Sequence, residues 1–105
     1  MGPRLTLDQA REVVKKGVRA FSSQRSRILD AIREAGGDSG KLMALIMPLA
    51  LEVQGPLLEE HGFEKSPMGV LQMMAALNMH ALSDPDLKAQ LDDYQAIAMG
   101  RKEPP

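Results

Sequence analysis

The chain has no cysteine and no tryptophan, and only two Phe and one Tyr. Without cysteine, disulfide frameworks, thiolate zinc sites and cysteine nucleophiles are excluded, which fits a reducing compartment. Few aromatics means few rings on which single-stranded nucleic acid could stack. Long apolar runs are missing as well. The start Met1-Gly2-Pro3-Arg4 has no signal-peptide core, and no run approaches the roughly 18 apolar residues of a membrane span. A cytoplasmic location with no membrane partner is therefore expected. Strand signals are also absent, since no period-two runs of β-branched or aromatic residues lie between turn clusters.

What is present is enough for one domain. The 105 residues are 44% apolar, ordinary for a globular chain, but eight Met stand among them. The core is expected to consist of Leu, Ile, Val, Ala and flexible thioethers, a soft mixture. Net charge is −1, yet its distribution is uneven. Residues 1–41 carry nine Lys/Arg against five acids, whereas residues 42–105 carry four against nine. Attraction between the halves is expected, within the fold or across a dimer.

Helix punctuation recurs five times. Thr6-Leu7-Asp8-Gln9 is a capping box, followed by Leu7, Ala10, Val14, Val18 and Phe21 at spacings of three and four. Ser22-Ser23 offers a cap for a second helix with Ile28, Leu29, Ile32 and Ala35 inward, stopped by Gly36-Gly37. Asp38-Ser39 starts a third, the most apolar, through Leu42, Leu45, Ile46, Leu49, Val53 and Leu57. Pro48 is expected to kink it, and Gly55-Pro56 to bend or split it. Ser66-Pro67 and Ser83-Asp84-Pro85 open the fourth and fifth helices. The fourth presents Val70, Leu71, Met74, Leu77 and Asn78; the fifth presents Leu87, Leu91, Tyr94 and Ile97. The predicted fold is all-α: a compact bundle of about five helices over residues 6–100, the third kinked at its internal proline, with flexible ends at 1–5 and 101–105.

Candidate sites are few. Arg11, Lys15 and Arg19 recur at i, i+4 and i+8 and make a basic stripe on the first helix. A solvated face is its plain reading and a protein-docking face its functional one; nucleic acid is not expected, because the chain is slightly acidic and no aromatics interleave. Met73, Met74 and Met79 point in more than one direction, which places some of them at an interface, where adaptable Met side chains suit partner binding. With so many apolar residues on the third and fourth helices, self-association through their apolar faces is expected.

Catalysis and cofactors find little support. Gly36-Gly37-Asp38-Ser39-Gly40-Lys41 is near a phosphate-binding loop, but the spacing is one residue short, Leu42 stands where Ser or Thr would hold magnesium, and a helix precedes it. A helix-to-helix turn is the expected reading. His61 and His80, the two histidines, form no i, i+4 pair, and His61 reads as a solvated residue at a helix C-terminus. No catalytic residue, metal ligand or cofactor-binding residue is assigned, and surface chemistry rather than a pocket is expected to carry function.

From end to end the chain resembles the protein C-ten family. Leu5-Thr6, Gln9-Ala10, Val13-Val14 and Ala20-Phe21-Ser22 carry the resemblance in the first helix. It resumes at Gly40-Lys41, Pro48, Gly62-Phe63, Gly69-Val70-Leu71 and Asp84-Pro85, in collinear order over residues 5–99. The resemblance implies an all-helical, cytoplasmic, non-enzymatic protein, with calcium/calmodulin-dependent kinase signalling as one suggested context. An adaptor or regulatory protein that binds another protein, or a second copy of itself, is the leading expectation. A small structural part of a cytoskeletal or ciliary assembly is the alternative.

Overall fold

The computed structural model describes residues 4–102 and consists of five helices: α1 (Leu7–Ser23), α2 (Arg25–Ala35), α3 (Ser39–Glu60), α4 (Pro67–Ala81) and α5 (Pro85–Ala98). Among the described residues there is no strand. The helices begin where short polar side chains satisfy free backbone amides. Thr6 and Gln9 close a reciprocal box, and Asp38, Ser66 and Asp84 accept from the amides of Lys41, Gly69 and Leu87. The exception is α2. Ser22 Oγ donates back to the Val18 carbonyl and Ser23 Oγ to that of Ala20, so both hydroxyls finish α1 and neither caps the next helix. Gly36 and Gly37 then turn the chain with φ of 59° and 91°, so residues 36–38 make the helix-to-helix turn and Ser39-Gly40-Lys41 already begin α3. The Asp38 carboxylate occupies the helix N-terminus where an anion would have to sit.

Of the ends expected to be flexible, residues 1–3 and 103–105 lie outside the described residues. Inside them, Leu5 is buried, its carbonyl lies 2.6 Å from His80 Nε2, and Lys102 pairs with Asp93 at 2.6 Å.

Pro48 lies inside α3, as its flanking periodicity predicts, and so does Pro56, so Gly55-Pro56 neither ends nor splits the helix. Each proline removes an amide that would have bonded to the carbonyl four residues earlier, on Ala44 and Glu52. All four residues are exposed, and their four-residue spacing puts them on one solvent-facing side. The freed carbonyls therefore lie on the side open to solvent, while Ile46, Leu49, Leu57 and Leu58 on the other side stay packed. With mean hydropathy 1.4 over 18 residues, α3 has the length and composition to cross a membrane, a property that its internal prolines and Glu52 hide in a search for apolar runs. In the fold it packs on α1, α2 and α4.

Tyr94 marks the centre of the core. Its ring lies against the backbone of Gly17 so closely that a Cβ at that position would overlap it. Phe21 meets it edge-on, with centroids 5.8 Å apart and planes at 84°. Gln54 Nε2 donates to its hydroxyl from α3, while Gln54 Oε1 is buried without a hydrogen-bond partner. Burial pushes the Tyr94 phenol up to about 12, against the smaller opposing effect of the Gln54 hydrogen bond. Three helices therefore lock on one side chain.

The phase of α4 differs from the one expected. Gly69, Met73, Leu77 and Ala81 face the core, whereas Leu71 and Asn78 face solvent. Between Pro67 and Ala81 there is no Asp, Glu, Lys or Arg, so no charged face exists from which to read the buried one.

Candidate functional site: a cation-rimmed groove between two helices

The close approach of α1 and α5 at Gly17 and Tyr94 leaves an open groove of about 620 Å³ beside it. Val14 and Ile97, each only 2% exposed, form its apolar floor, and half-buried Val18 gives the apolar surface along its side. Arg11, Lys15 and Arg19 line it on the α1 side, one helical turn apart, and Gln90, Asp93 and Lys102 on the α5 side. The basic stripe thus borders a concave site, rather than the plain helix surface expected of it.

The four cations are not equivalent. Arg11 Nη2 lies 2.6 Å from Asp84 Oδ2, and Lys102 Nζ lies 2.6 Å from Asp93 Oδ1. The Leu87 backbone amide first, and then the Arg11 guanidinium, hold the Asp84 carboxyl below its ordinary value. Arg11 therefore fastens the start of α5 to α1. Lys15 and Arg19 have no acidic partner within 4.0 Å among the described residues, and their charge is left to solvent or a ligand. The neighbouring Lys16 points elsewhere, 2.9 Å from Glu60 and 3.1 Å from Glu12, which together raise its pKa, Glu60 most. Arg27 reaches Glu52 at 2.8 Å. Arg11–Asp84, Lys16–Glu60 and Arg27–Glu52 realise the attraction between the basic and acidic halves within one chain. Solvent screens Lys16–Glu60 and Arg27–Glu52, whereas the Asp84 side chain in the first pair is only 13% exposed.

The three methionines proposed as contacts separate. Met73 is fully buried, and its side chain fills the core between α4 and its neighbours; it touches no partner. Met74 is half-buried against the core, and Met79 alone stands out from the surface. His61 is half-buried rather than fully solvated, and its Nε2 is buried without a hydrogen-bond partner. Among the described residues no group of three His, Asp or Glu is placed to hold a metal ion. Gln90, Asp93, Ile97 and Lys102 are groove residues that periodicity does not announce, since their relation to the basic stripe exists only after folding.

Comparison with known proteins supplies kinship. The Protein C10 family matches residues 6–99, which is nearly the whole described chain. The chain belongs to the Protein C10 family. Protein C10 of Danio rerio is 33% identical over 89 residues, covering 83% of this chain and 73% of that relative. Protein C10 of Xenopus laevis is 29% identical over 87 residues (81% and 68%), and that of Homo sapiens 27% over 95 residues (89% and 75%). No solved structure matches. The match to Protein C10 spans all five helices and includes the whole groove-bearing face of α1, Arg11 to Arg19. The family name states no activity.

Proposed function

We propose that this chain is a non-enzymatic, cytoplasmic interaction module whose α1/α5 groove receives an acidic amphipathic helix from another protein. The observation that carries the reading is the pair Lys15 and Arg19, unneutralised and one turn apart, beside the apolar lining of Val14, Val18 and Ile97. A helix with acids at i and i+4 and aliphatic residues on the adjoining face matches both features. The groove is lined by aliphatic, amide, carboxylate and cationic groups, with no hydroxyl, thiol or imidazole to serve as a nucleophile or a base near neutral pH. An adaptor or regulatory role follows from this reading, and a link to calcium/calmodulin-dependent kinase signalling, implied by the family resemblance, belongs to the same proposal.

A labelled peptide with Glu at i and i+4 beside Leu residues is expected to bind in fluorescence anisotropy, and its counterpart with Lys in place of Glu is not. Lys15→Glu with Arg19→Glu is expected to weaken the acidic peptide roughly tenfold, the size of about 1.4 kcal/mol from two partly exposed charges. Thermal stability should move by no more than about 0.5 kcal/mol, as neither side chain is paired in the fold. Raising salt should weaken binding to the unaltered protein but not to the double variant. Equal affinity for both peptides would rule out the charge-selective groove.

A further inference from the structure

We propose that the solvent face of α4 is a homodimer interface, in which two copies of this chain pair antiparallel about a two-fold axis through Ala75. A helix that is apolar all round is ordinarily covered all round. In α4 one side is covered by α1, α3 and α5, and the other is not. On the uncovered side Met68, Leu71, Met79 and Leu82 are 57%, 64%, 69% and 85% exposed. Leu82 caps the helix in α conformation and so continues the stripe. Gln72, Ala75 and Asn78 complete the same face.

The occupant is read from the order of these residues. Met68 and Leu82 stand seven positions either side of Ala75, Leu71 and Met79 four, Gln72 and Asn78 three. A two-fold axis at Ala75 therefore sets Met68 against Leu82 of the second copy, Leu71 against Met79, and Gln72 against Asn78. Apolar side chains meet apolar ones, carboxamides meet carboxamides, and the small methyl at the centre lets the helices approach. This is the self-complementarity that an isologous contact requires.

Charge points the same way. The helix carries no Asp, Glu, Lys or Arg, so nothing on it selects a charged partner, and nothing repels a second copy. Basic flanks of the kind that lay a helix on a lipid surface are missing from it too. The stripe is about 21 Å long, 14 steps of 1.5 Å rise from Met68 to Leu82, and its four large apolar side chains are each more than half exposed, the kind of patch that marks a contact. A stable interface needs about 800 Å² per partner, so the stripe supplies its core and the dimer is expected to form in the micromolar range. The self-association predicted for the third and fourth helices together thus narrows to α4. On α3 only Met43 is a strongly exposed large apolar residue.

The test uses the full chain. Sedimentation velocity from about 5 to about 500 µM is expected to show the 11.5 kDa mass doubling, and Ala75→Glu, which puts two carboxylates on the axis, to hold it monomeric. Position 75 is exposed, so circular dichroism should show Ala75→Glu still folded; Ala75→Lys repeats the test if it is not. Register is read with single cysteines, the only thiols in an otherwise cysteine-free chain. Ala75→Cys is expected to cross-link with itself on mild oxidation. Leu71→Cys should cross-link with Met79→Cys in a mixture, but not with itself. A strict monomer throughout, an Ala75→Glu protein that dimerises unchanged, self-linking of Leu71→Cys, or a monomer that binds neutral phosphatidylcholine vesicles through this face would each overturn the proposal.

Discussion

Gly17→Ala is expected to lower the stability of the protein by about 2 kcal/mol, although alanine is the better helix former. Intrinsic propensity alone favours the substitution by about 1 kcal/mol in a helix interior. Against it stands the Tyr94 ring, which the new methyl would overlap rather than touch. That ring has no easy retreat, since Phe21 packs on it edge-on and Gln54 holds its hydroxyl. Overpacking of a filled core costs about 1–3 kcal/mol and more where the neighbour is fixed, so it outweighs the propensity gain. A urea midpoint measures the balance. Gly40→Ala serves as the control: position 40 lies near the start of α3 with only the Asp38 carboxylate in van der Waals range, and stability there should hold or rise. Relief in the Gly17 variant would require α1 to move away from α5, so the acidic peptide should also bind it more weakly. A Gly17→Ala protein as stable as its parent would mean that the α1–α5 contact is looser than the geometry described.

Much of the fold is legible because helix punctuation is local. Thr6 with Gln9, Asp38, Ser66 before Pro67, and Asp84 before Pro85 sit within a few residues of the amides they satisfy, and each start stands where its cap predicts. The α5 stripe of Leu87, Leu91, Tyr94 and Ile97 is equally plain, because Asp92 and Asp93 mark its solvent side. Legibility fails where the deciding neighbour is distant in sequence. Nothing near Arg11 foretells Asp84, 73 residues away, so the stripe Arg11, Lys15 and Arg19 reads as three equal charges when only two are free. Gly17 looks like a weak point in a helix until Tyr94 is placed on it. The uncharged α4 shows a different failure, one of phase: with apolar residues on every side, Leu71 and Met73 look alike, and only packing assigns one to solvent and the other to the core.

Titration of the single tyrosine tests the centre of the core directly. Because Tyr94 is the only tyrosine and there is no tryptophan, tyrosinate absorbance reports on this one group. In the folded protein its midpoint is expected near pH 12, and in concentrated urea near its ordinary value of 10. The raised value means that the folded state holds the proton more tightly than the unfolded chain does. Stability from this group is therefore intact below pH 10 and lost as pH climbs through 12, by on the order of 3 kcal/mol in total. Lys16, held above its ordinary value by Glu60 and Glu12, weakens the fold in the same direction as it deprotonates, so a control is needed. Tyr94→Phe supplies it. That variant should start lower at neutral pH by about 1–3 kcal/mol, because the Gln54 amide loses its partner in a buried setting. Between pH 9 and 12, however, its urea midpoint should fall less steeply than that of the parent, and the difference isolates the phenol. A native-state midpoint near pH 10 would put the hydroxyl in contact with water, and the three-helix lock of Gly17, Gln54 and Tyr94 would not stand.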